Sequence, residues 1–493
     1  MDMRTRAFSI AVKIVIFNLL FVYCPVNIEA QGFQLTLEQQ AARDKIATDS
    51  KLEWERTLAQ LHITMPVLPP AAEDPTRPKN LLQKPTSANN WYDADDNTYV
   101  RTAWGKWSNY DDAKADNFVL TDPFKLKNGA IVKDAKMWWQ QRRPELLKEF
   151  ENEIYGKIPA NTPKVIFEVA GVDNTALNGK AIKKTIIGHI DNSKYPAAKP
   201  SIDITIYVPA NAKGPVPLMI VLGGLQLPGA PANPAFAAGN GPTVIEQVLA
   251  LGWAIGSVNP ANIQADNAAG LKEGIIGLVN EGQARKLDDW GAIRAWCWGL
   301  SQAIDYFETD KDINAKQLGI EGHSRYGKAA IVAGAMDQRW AIVYSSCAGD
   351  LGTSLEKRDF GGTIDNAAGP TEFHWMAGNF LKYGGHWQDL PVDAHELMAL
   401  VAPRPLFVTG GTHDLWSDPK GEFEACVAAS PVYTLLNKKG IGTNVMPAPD
   451  VSLIDGDLAF RDHEGGHSDQ PDWPVFLKFS QKYFKVNAPA AKR

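Results

Sequence analysis

The sequence predicts an α/β fold with a mostly parallel central sheet, and three features of the chain support this. Short apolar runs, such as Pro217–Leu222 and Leu406–Thr409, end next to glycine, which is typical of parallel strands buried on both faces. Between Asp288 and Phe307, apolar residues recur every three or four positions, as on one face of a helix. A glycine-flanked turn near residue 324 joins a predicted strand to a predicted helix. Because strands and helices alternate, the expected architecture has three layers, αβα.

The other predicted elements complete this alternation. Strands are expected at Ile202–Val208, Ala254–Val258, Leu318–Glu321 and Ala341–Ser345, and helices near Val244–Leu251 and Trp473–Phe484.

Length and charge narrow the classes of protein that the chain can form. The 493 residues are 45% hydrophobic and 22% charged, which is the balance of a globular protein with a large core. The formal net charge is −6, so the chain lacks the basic excess of a nucleic-acid-binding protein. We therefore expect no nucleic acid partner.

Residues 1–30 are predicted to be a signal peptide. Arg4 and Arg6 form a basic start, an apolar run follows from Ala7 to Cys24, and Ala30 precedes a plausible cut before Gln31. An uncleaved membrane anchor is the alternative, but a lysine inside the run argues against it. No other apolar stretch is long enough to span a bilayer. We expect a periplasmic or secreted protein with no membrane span after cleavage.

The mature chain is predicted to have two parts. Residues 31–90 form a helical extension, helix-prone from Leu35 to Leu61, that ends in a proline-rich linker at Pro66–Pro78. Residues 91–493 form one large domain. The extension has three open roles: it packs on the domain, covers the site, or acts as a spacer.

Three cysteines remain after the predicted cleavage, at positions 297, 347 and 426. They allow at most one internal disulfide, and spacing does not decide whether Cys347 pairs with Cys426. No CxxC pair occurs, so we predict no metal site.

The turn at residues 322–328 (GHSRYGK) predicts a nucleophilic serine, Ser324. A strand, a tight turn flanked by small residues and an immediate helix form the nucleophile elbow of the α/β-hydrolase fold. Residues 91–493 would then be its catalytic domain. The usual second glycine falls one residue late, at Gly327, and the alternative is a simple helix N-cap serine. The backbone amides of Arg325 and of Leu225, after the glycine pair that ends a strand, are the expected oxyanion donors.

In this fold the catalytic acid and then the histidine follow the serine along the chain. His467 stands in a glycine-containing loop before the last predicted helix and is the expected base, with His463 as its rival. Asp414 follows a predicted strand and two glycines and is the expected acid, with Asp418 as a second candidate. The task of Asp414 would be to orient the imidazole and stabilise its charged form. The alternative interpretation of Asp414 is a turn-capping residue.

With these residues placed, the chain resembles the glucuronoyl esterases, carbohydrate esterase family fifteen, from Asn109 to Phe484. The most specific element is the S-R-x-G-K signature at residues 324–328, in which the displaced glycine is normal. The resemblance implies the α/β-hydrolase fold, no metal or organic cofactor, and esters of (4-O-methyl)glucuronic acid with lignin alcohols as substrates. It implies that the Arg325 side chain helps to hold the oxyanion, that Lys328 hydrogen-bonds sugar hydroxyls, and that Trp416 contacts the sugar.

Two positions depart from the family pattern. Cys347 stands where many members carry the catalytic glutamate, which makes Asp414 the main candidate and Asp350 a poor second. Gly362 stands where relatives carry a glutamate that contacts the sugar. Two alternatives therefore stay open: an esterase for another carbohydrate ester, such as an acetyl or different uronate ester, and a carbohydrate-binding relative without catalysis.

Overall fold

The structure is a computed structural model that describes residues 36–84, 90–115, 118–229 and 241–486. The predicted signal peptide at residues 1–30 lies outside this range. Over the described ranges, none of the helices combines the length and the apolar character needed to cross a bilayer.

A ten-stranded sheet forms the centre of the molecule. Its strands are β4 (Val165–Asp173), β5 (Ala181–Ile190), β6 (Ser201–Pro209), β7 (Val216–Leu222), β8 (Ala254–Val258), β9 (Ile313–His323), β10 (Ile342–Ser346), β11 (Leu406–Gly411), β12 (Ser452–Leu453) and β13 (Leu458–His463). Strands β1 (Leu82–Gln83), β2 (Asn90–Tyr92) and β3 (Thr98–Val100) form a separate small sheet.

The strand order of the large sheet is β12-β13-β11-β10-β9-β7-β8-β6-β5-β4. The six strands from β13 to β8 run parallel to one another. Strands β6, β5 and β4 continue one side as antiparallel strands, and β12 pairs antiparallel at the other edge. Because the carboxyl ends of parallel strands lie at one edge of a sheet, the segments after β7, β8, β9, β10, β11 and β13 come together there.

The sheet separates two hydrophobic cores. Strand β7 is buried along its whole length, with Leu218, Ile220 and Leu222 in the larger core and Met219 and Val221 in the smaller one. Alternate side chains of a strand point to opposite faces, so a strand covered on both faces needs an unbroken apolar run.

Helices cover both faces, which confirms the predicted α/β-hydrolase class with its three layers. Residues of α9 (Ala292–Phe307), α10 (Arg325–Met336), α12 (Ala394–Val401) and α13 (Pro419–Leu435) lie in the larger core, and residues of α6 (Val244–Ala250) and α14 (Trp473–Ser480) in the smaller core. The other α-helices of the described residues are α1 (Leu37–Gln60), α2 (Asp112–Ala115), α3 (Ala135–Met137), α4 (Arg143–Glu149), α5 (Ala176–Gly179), α7 (Pro260–Ile263), α8 (Gly274–Val279) and α11 (Ile364–Ala367).

Helix α1 packs on the larger core. It begins with a capping box at Thr36 and buries Trp54 and Leu58. The indole nitrogen of Trp54 donates to the carbonyl oxygen of Ala368 at 2.8 Å. Of the three roles considered for the extension, these contacts favour packing on the domain.

The helix expected from Asp288 begins four residues later, at Ala292. Residues 288–291 pair instead with the segment near Lys157: the amide of Lys157 donates to Asp288, and the amide of Trp290 donates back to Lys157. A Cβ on Gly291 would collide with the backbone of Trp375. Tertiary pairing therefore overrides the apolar periodicity at this end.

Candidate active site

Ser324 lies in a strained turn between β9 and α10. Its φ and ψ angles are 60° and −131°, a region that non-glycine residues rarely adopt and that is typical of a nucleophile elbow. A Cβ on Gly322 would collide with the carbonyl group of Tyr326, and one on Gly327 would lie 2.8 Å from the carbonyl oxygen of Ser346. Both glycines are thus required by close backbone contacts, which explains why the second one stands at position 327.

The residues expected to be the acid and the base, Asp414 and His467, follow neighbouring parallel strands. Asp414 follows β11 and His467 follows β13, and these strands pair directly. Nδ1 of His467 lies 2.6 Å from Oδ2 of Asp414. Nε2 of His467 is buried and has no hydrogen-bond partner among the described residues. The imidazole is therefore oriented by Asp414, with its other nitrogen available to a reacting group.

Electrostatics keep Asp414 ionised. Burial opposes its charge, but the charge of His467 and the hydrogen bonds from His467 and Ser417 outweigh burial, and the pKa of Asp414 falls below its usual value. A carboxylate that stays ionised at neutral pH can stabilise an imidazolium at His467.

His323 lies against the imidazole of His467. The two ring centroids are 4.3 Å apart, with the ring planes inclined by 53°. Burial, and then the charge of His467, holds the pKa of His323 well below its usual value. The neighbour of the proposed base is therefore a neutral ring.

The structure places both rival residues in structural roles. His463 is buried, with Nδ1 2.9 Å from Oδ2 of Asp472 and Nε2 3.0 Å from the carbonyl oxygen of Gly466. Asp418 is buried, pairs with Arg358 and caps helix α13 through the amide of Gly421. Among the described residues, no hydrogen bond joins either side chain to His467.

Cys347 lies beside the Asp414–His467 pair at the end of β10. Ligand atoms of these three residues all lie within 4.8 Å of one another. Burial, and then the negative charge of Asp414, raises the pKa of the Cys347 thiol well above its usual value. A protonated thiol is a poor metal ligand. It also lacks the negative charge with which a catalytic carboxylate orients the imidazole. Cys297, Cys347 and Cys426 are all free and buried.

Arg325 points its guanidinium toward the loop after β8. Its Nη1 donates to Oδ2 of Asp266 at 2.6 Å, and its guanidinium carbon lies 5.6 Å from the ring centroid of Trp375. Burial opposes the charge of Arg325, but Asp266 outweighs burial and raises the pKa of the guanidinium. A permanent cation thus stands one residue after Ser324.

Lys328 is held by protein acceptors rather than left open to a ligand. Its ammonium donates to the carbonyl oxygen of Ala348 at 2.7 Å, to Oδ1 of Asp350 at 3.0 Å, and to the carbonyl oxygen of Asp350. An ammonium has three donors, so these contacts use all of them. Asp350 therefore serves as the partner of Lys328.

Trp416 occupies the space where a side chain at position 362 would project. The amide of Gly362 donates to the carbonyl oxygen of Trp416 at 2.8 Å. A Cβ built on Gly362 would lie 2.8 Å from Nε1 of Trp416 and 3.3 Å from Oδ1 of Asp350. The glycine at this position is therefore matched to the half-buried indole above it.

Leu225 lies in the loop after β7, half-buried against the smaller core. Gly223, two residues before it, has a φ of +98°, and a Cβ there would lie 2.9 Å from the ring of Tyr326. The loop therefore runs close to the elbow, and the role of the Leu225 amide stays a prediction.

Sequence reasoning missed Asp266 and His323. The rule that identified Asp414, a carboxylate soon after a predicted strand, does not reach Asp266, because helix α7 lies between β8 and this residue. His323 had no such signal either, because its contact with His467 depends on how the loop after β13 folds back.

A strained serine and an aspartate–histidine pair at one edge of a parallel sheet define the class: a carboxylic ester hydrolase of the α/β-hydrolase fold. A family model described as glucuronyl esterase, fungi, matches residues 284–437, less than half of the chain.

Individual relatives match over far more of the chain. Carbohydrate esterase MZ0003, from an unknown prokaryotic organism, is 33% identical over 415 residues, which are 77% of this chain and 93% of that protein. The 4-O-methyl-glucuronoyl methylesterase of Cerrena unicolor is 29% identical over 66% of this chain and 62% of its own. A solved glucuronoyl esterase of carbohydrate esterase family 15 from Teredinibacter turnerae has 33% identity and a TM-score of 0.74, covering 88% of this chain and 99% of the other. The chain belongs to the glucuronoyl esterases of carbohydrate esterase family 15.

Proposed function

We propose that this protein hydrolyses esters of (4-O-methyl)glucuronic acid, such as those that join glucuronoxylan to lignin alcohols, through Ser324, His467 and Asp414. The observation that carries the proposal is the 2.6 Å contact between His467 and Asp414, which leaves Nε2 of His467 unbonded among the described residues at the sheet edge that bears Ser324. The substrate class rests on membership of the family and on the activity named for its relatives.

Acylation begins when Nε2 of His467 takes the proton of the Ser324 hydroxyl as its oxygen attacks the ester carbonyl carbon. The amide of Arg325, at the start of α10, and the Arg325 guanidinium stabilise the negative oxygen that develops, together with the proposed amide of Leu225. As the carbon–oxygen bond to the alcohol breaks, the His467 imidazolium returns its proton to the leaving oxygen. The uronic acid is then esterified to Ser324.

Deacylation repeats these steps with water. His467 removes a proton from the water that attacks the acyl carbon, and then protonates Ser324 as the uronic acid leaves and ionises in solvent. Asp414 stabilises the imidazolium at both stages. Every step uses protein groups and water, so the proposed reaction needs no cofactor.

Sugar recognition would come from the surface around Gly362. The indole of Trp416 offers an apolar plane and a nitrogen donor, and Asp350, held by Lys328, offers a carboxylate acceptor. Lys328 would then act on the sugar through Asp350 rather than by direct donation.

A second candidate is an esterase for another carbohydrate ester. Two observations favour it: Gly362 offers no side chain to the sugar, and the three donors of Lys328 already bond protein oxygens. Both reduce the number of groups that would select glucuronate.

The test compares the hydrolysis of benzyl glucuronate, methyl galacturonate and an acetylated sugar by the protein and by Ser324→Ala. We expect turnover that is fastest on benzyl glucuronate and lost in Ser324→Ala. Labelling by a fluorophosphonate would report the nucleophile independently of the substrate. Labelling without glucuronate hydrolysis would overturn the substrate and keep the serine hydrolase, and activity retained by Ser324→Ala would overturn the nucleophile.

We also propose export, on the basis of residues 1–30. Cleavage before Gln31 would be seen as a mature N-terminus at that residue in protein recovered from the periplasm or medium. An intact N-terminus in membrane-bound protein would contradict it.

A further inference from the structure

We infer that Asp266 is a positioning residue that fixes the Arg325 guanidinium at the oxyanion side of Ser324. Oδ2 of Asp266 accepts the 2.6 Å hydrogen bond from Arg325. Oδ1 accepts from the indole nitrogen of Trp375 at 2.6 Å and lies 3.0 Å from Nε2 of His374. The inference rests on the proposed function in that Arg325 is taken to face the ester carbonyl.

The carboxylate of Asp266 has a defined orientation because each oxygen has its own task. Two aromatic side chains hold Oδ1, and Oδ2 is left to face Arg325. The side chain of Asp266 is 7% exposed and that of Arg325 is 24% exposed. The ion pair is therefore shielded from solvent on the Asp266 side and reaches solvent on the Arg325 side. Such an arrangement holds the guanidinium of Arg325 in a defined direction, one residue along the chain from Ser324.

The loop that bears Asp266 is itself rigidly held. It lies between α7 and a 3-10 turn at Ala268–Lys272. In the buried side chain of Gln264, Nε2 donates to the carbonyl oxygen of Gly270 at 2.7 Å, and Oε1 accepts from the backbone amide of Ile276 at 3.1 Å. Trp296 donates to the carbonyl oxygen of Gln264 at 2.9 Å. The position of Asp266 is therefore fixed by α8 and α9.

The ionisation states of the groups around the Asp266–Arg325 ion pair favour Asp266 as the charged partner of Arg325. Burial, opposed by the bond to Asp266, lowers the pKa of His374, so this partner is neutral. Glu372 is a second carboxyl group that acts electrostatically on Arg325, and burial, followed by the charge of Asp350, raises its pKa to about 7, so it is only partly ionised at neutral pH. Asp266 keeps its charge, because the bond from His374 and the charge of Arg325 outweigh burial and lower its pKa.

An arginine side chain has many rotamers, and a donor helps catalysis only if it is in place before the negative charge develops. Asp266 supplies that preorganisation by an ion pair that lies away from the reacting carbon. Its loss would remove the charged hydrogen bond that directs Nη1 of Arg325, which would reduce the rate of the chemical step more than the binding of the substrate.

The experiment is a double-mutant cycle of Asp266→Asn and Arg325→Ala. Asn keeps the shape of Asp and removes its charge. The primary measurement is the second-order rate of fluorophosphonate labelling of Ser324, because the serine oxygen displaces fluoride to form a tetrahedral phosphorus centre whose phosphoryl oxygen occupies the oxyanion position. The second is kcat and KM on whichever ester the protein turns over fastest.

We expect Asp266→Asn to lower the labelling rate and kcat by about 10- to 100-fold, the effect of a misplaced catalytic group, with KM changed by less than about threefold. In the Arg325→Ala background, Asp266→Asn should have no further effect. Asp266→Glu, which keeps the charge, should recover part of the loss. Asp337→Asn is the matched control: it breaks the 2.8 Å pair with Arg339 at the other end of α10 and should leave both rates unchanged.

Full activity in Asp266→Asn, or losses that multiply in the double variant, would overturn the inference. If Asp266→Asn does not fold, Trp375→Phe, which removes one donor to Oδ1 and keeps the charge, must lower kcat without a change in KM. The two proposals fail separately. A protein that labels but ignores glucuronate esters refutes the substrate and still allows the cycle, whereas a protein that never labels refutes both.

Discussion

The carboxylate of Asp414 lies 2.6 Å from Nδ1 of His467, although the two residues belong to different loops, one after β11 and one after β13. Parallel pairing of these strands brings the loops together. Asp418, four residues further on, caps the start of helix α13 and pairs with Arg358. Two aspartates in one short segment thus have distinct surroundings.

This difference leads to the first prediction. Asp414→Asn should lower kcat by about 10⁴-fold and leave thermal stability nearly unchanged, because the amide would hold the wrong imidazole tautomer. Asp418→Asn should retain kcat but lose about 2 kcal/mol of stability, because the buried Arg358 loses its charged hydrogen bond to Asp418 while its pairs with Asp112 and Glu424 remain. Steady-state kinetics and thermal denaturation of both variants measure this. Equal loss of kcat in both variants would contradict the assignment of the acid.

The second prediction concerns Gly362. Gly362→Ala would place a Cβ 2.8 Å from Nε1 of Trp416, so the indole must shift. We expect KM on benzyl glucuronate to rise about tenfold, equal to ~1.4 kcal/mol, with kcat nearly unchanged. Gly171→Ala is the control, since a Cβ there meets nothing within 4 Å. An unchanged KM would show that Trp416 does not contact the substrate.

Much of the site follows from local patterns in the chain. The elbow at Ser324 needs glycine at positions 322 and 327, and the apolar runs before Ser324 and Asp414 are those of buried parallel strands. Such patterns lie within a dozen residues, so the sequence displays them directly. The fold class was predictable for the same reason.

Contacts between distant segments were not predictable. The ammonium of Lys328 is bonded to Ala348 and Asp350, twenty or more residues away, and the hydrogen bonds to sugar hydroxyls that the resemblance implies stay a prediction. The antiparallel extension β4–β5–β6 and the pairing that shortens α9 also depend on long-range packing. The spacing of apolar residues along the chain does not predict such long-range contacts.

The third prediction concerns the thiols. Cys297, Cys347 and Cys426 are buried, and burial raises the pKa of each. The native mature chain, residues 31–493, should therefore react negligibly with a thiol reagent at neutral pH and show all three thiols after denaturation, since Cys24 lies in the predicted signal peptide. Cys347→Ala should change kcat by less than about tenfold, because a protonated thiol gives His467 no charge. Rapid native labelling with loss of activity would contradict this.

The fourth prediction concerns His463 and pH. Both ring nitrogens contact acceptors, Asp472 and the carbonyl of Gly466, so a ring with two protons satisfies both contacts. Burial opposes this charge, but Asp472 outweighs burial and raises the pKa of His463. The stabilisation is complete below the unfolded-state pKa of about 6.5, and it is lost as pH rises through the folded-state value.

His463→Gln should therefore be less stable than the parent by about 2 kcal/mol at pH 5.5, and the difference should narrow at alkaline pH. Thermal denaturation across that range measures it. His413→Gln is the control, because His413 is exposed and pairs only with exposed Glu464 in the contacts described. Because His463 bonds the loop that carries His467, kcat of the parent should decline over the same pH interval as its stability. A stability difference that does not depend on pH would show that the ring is held as a neutral tautomer and that the loop needs no charge at position 463.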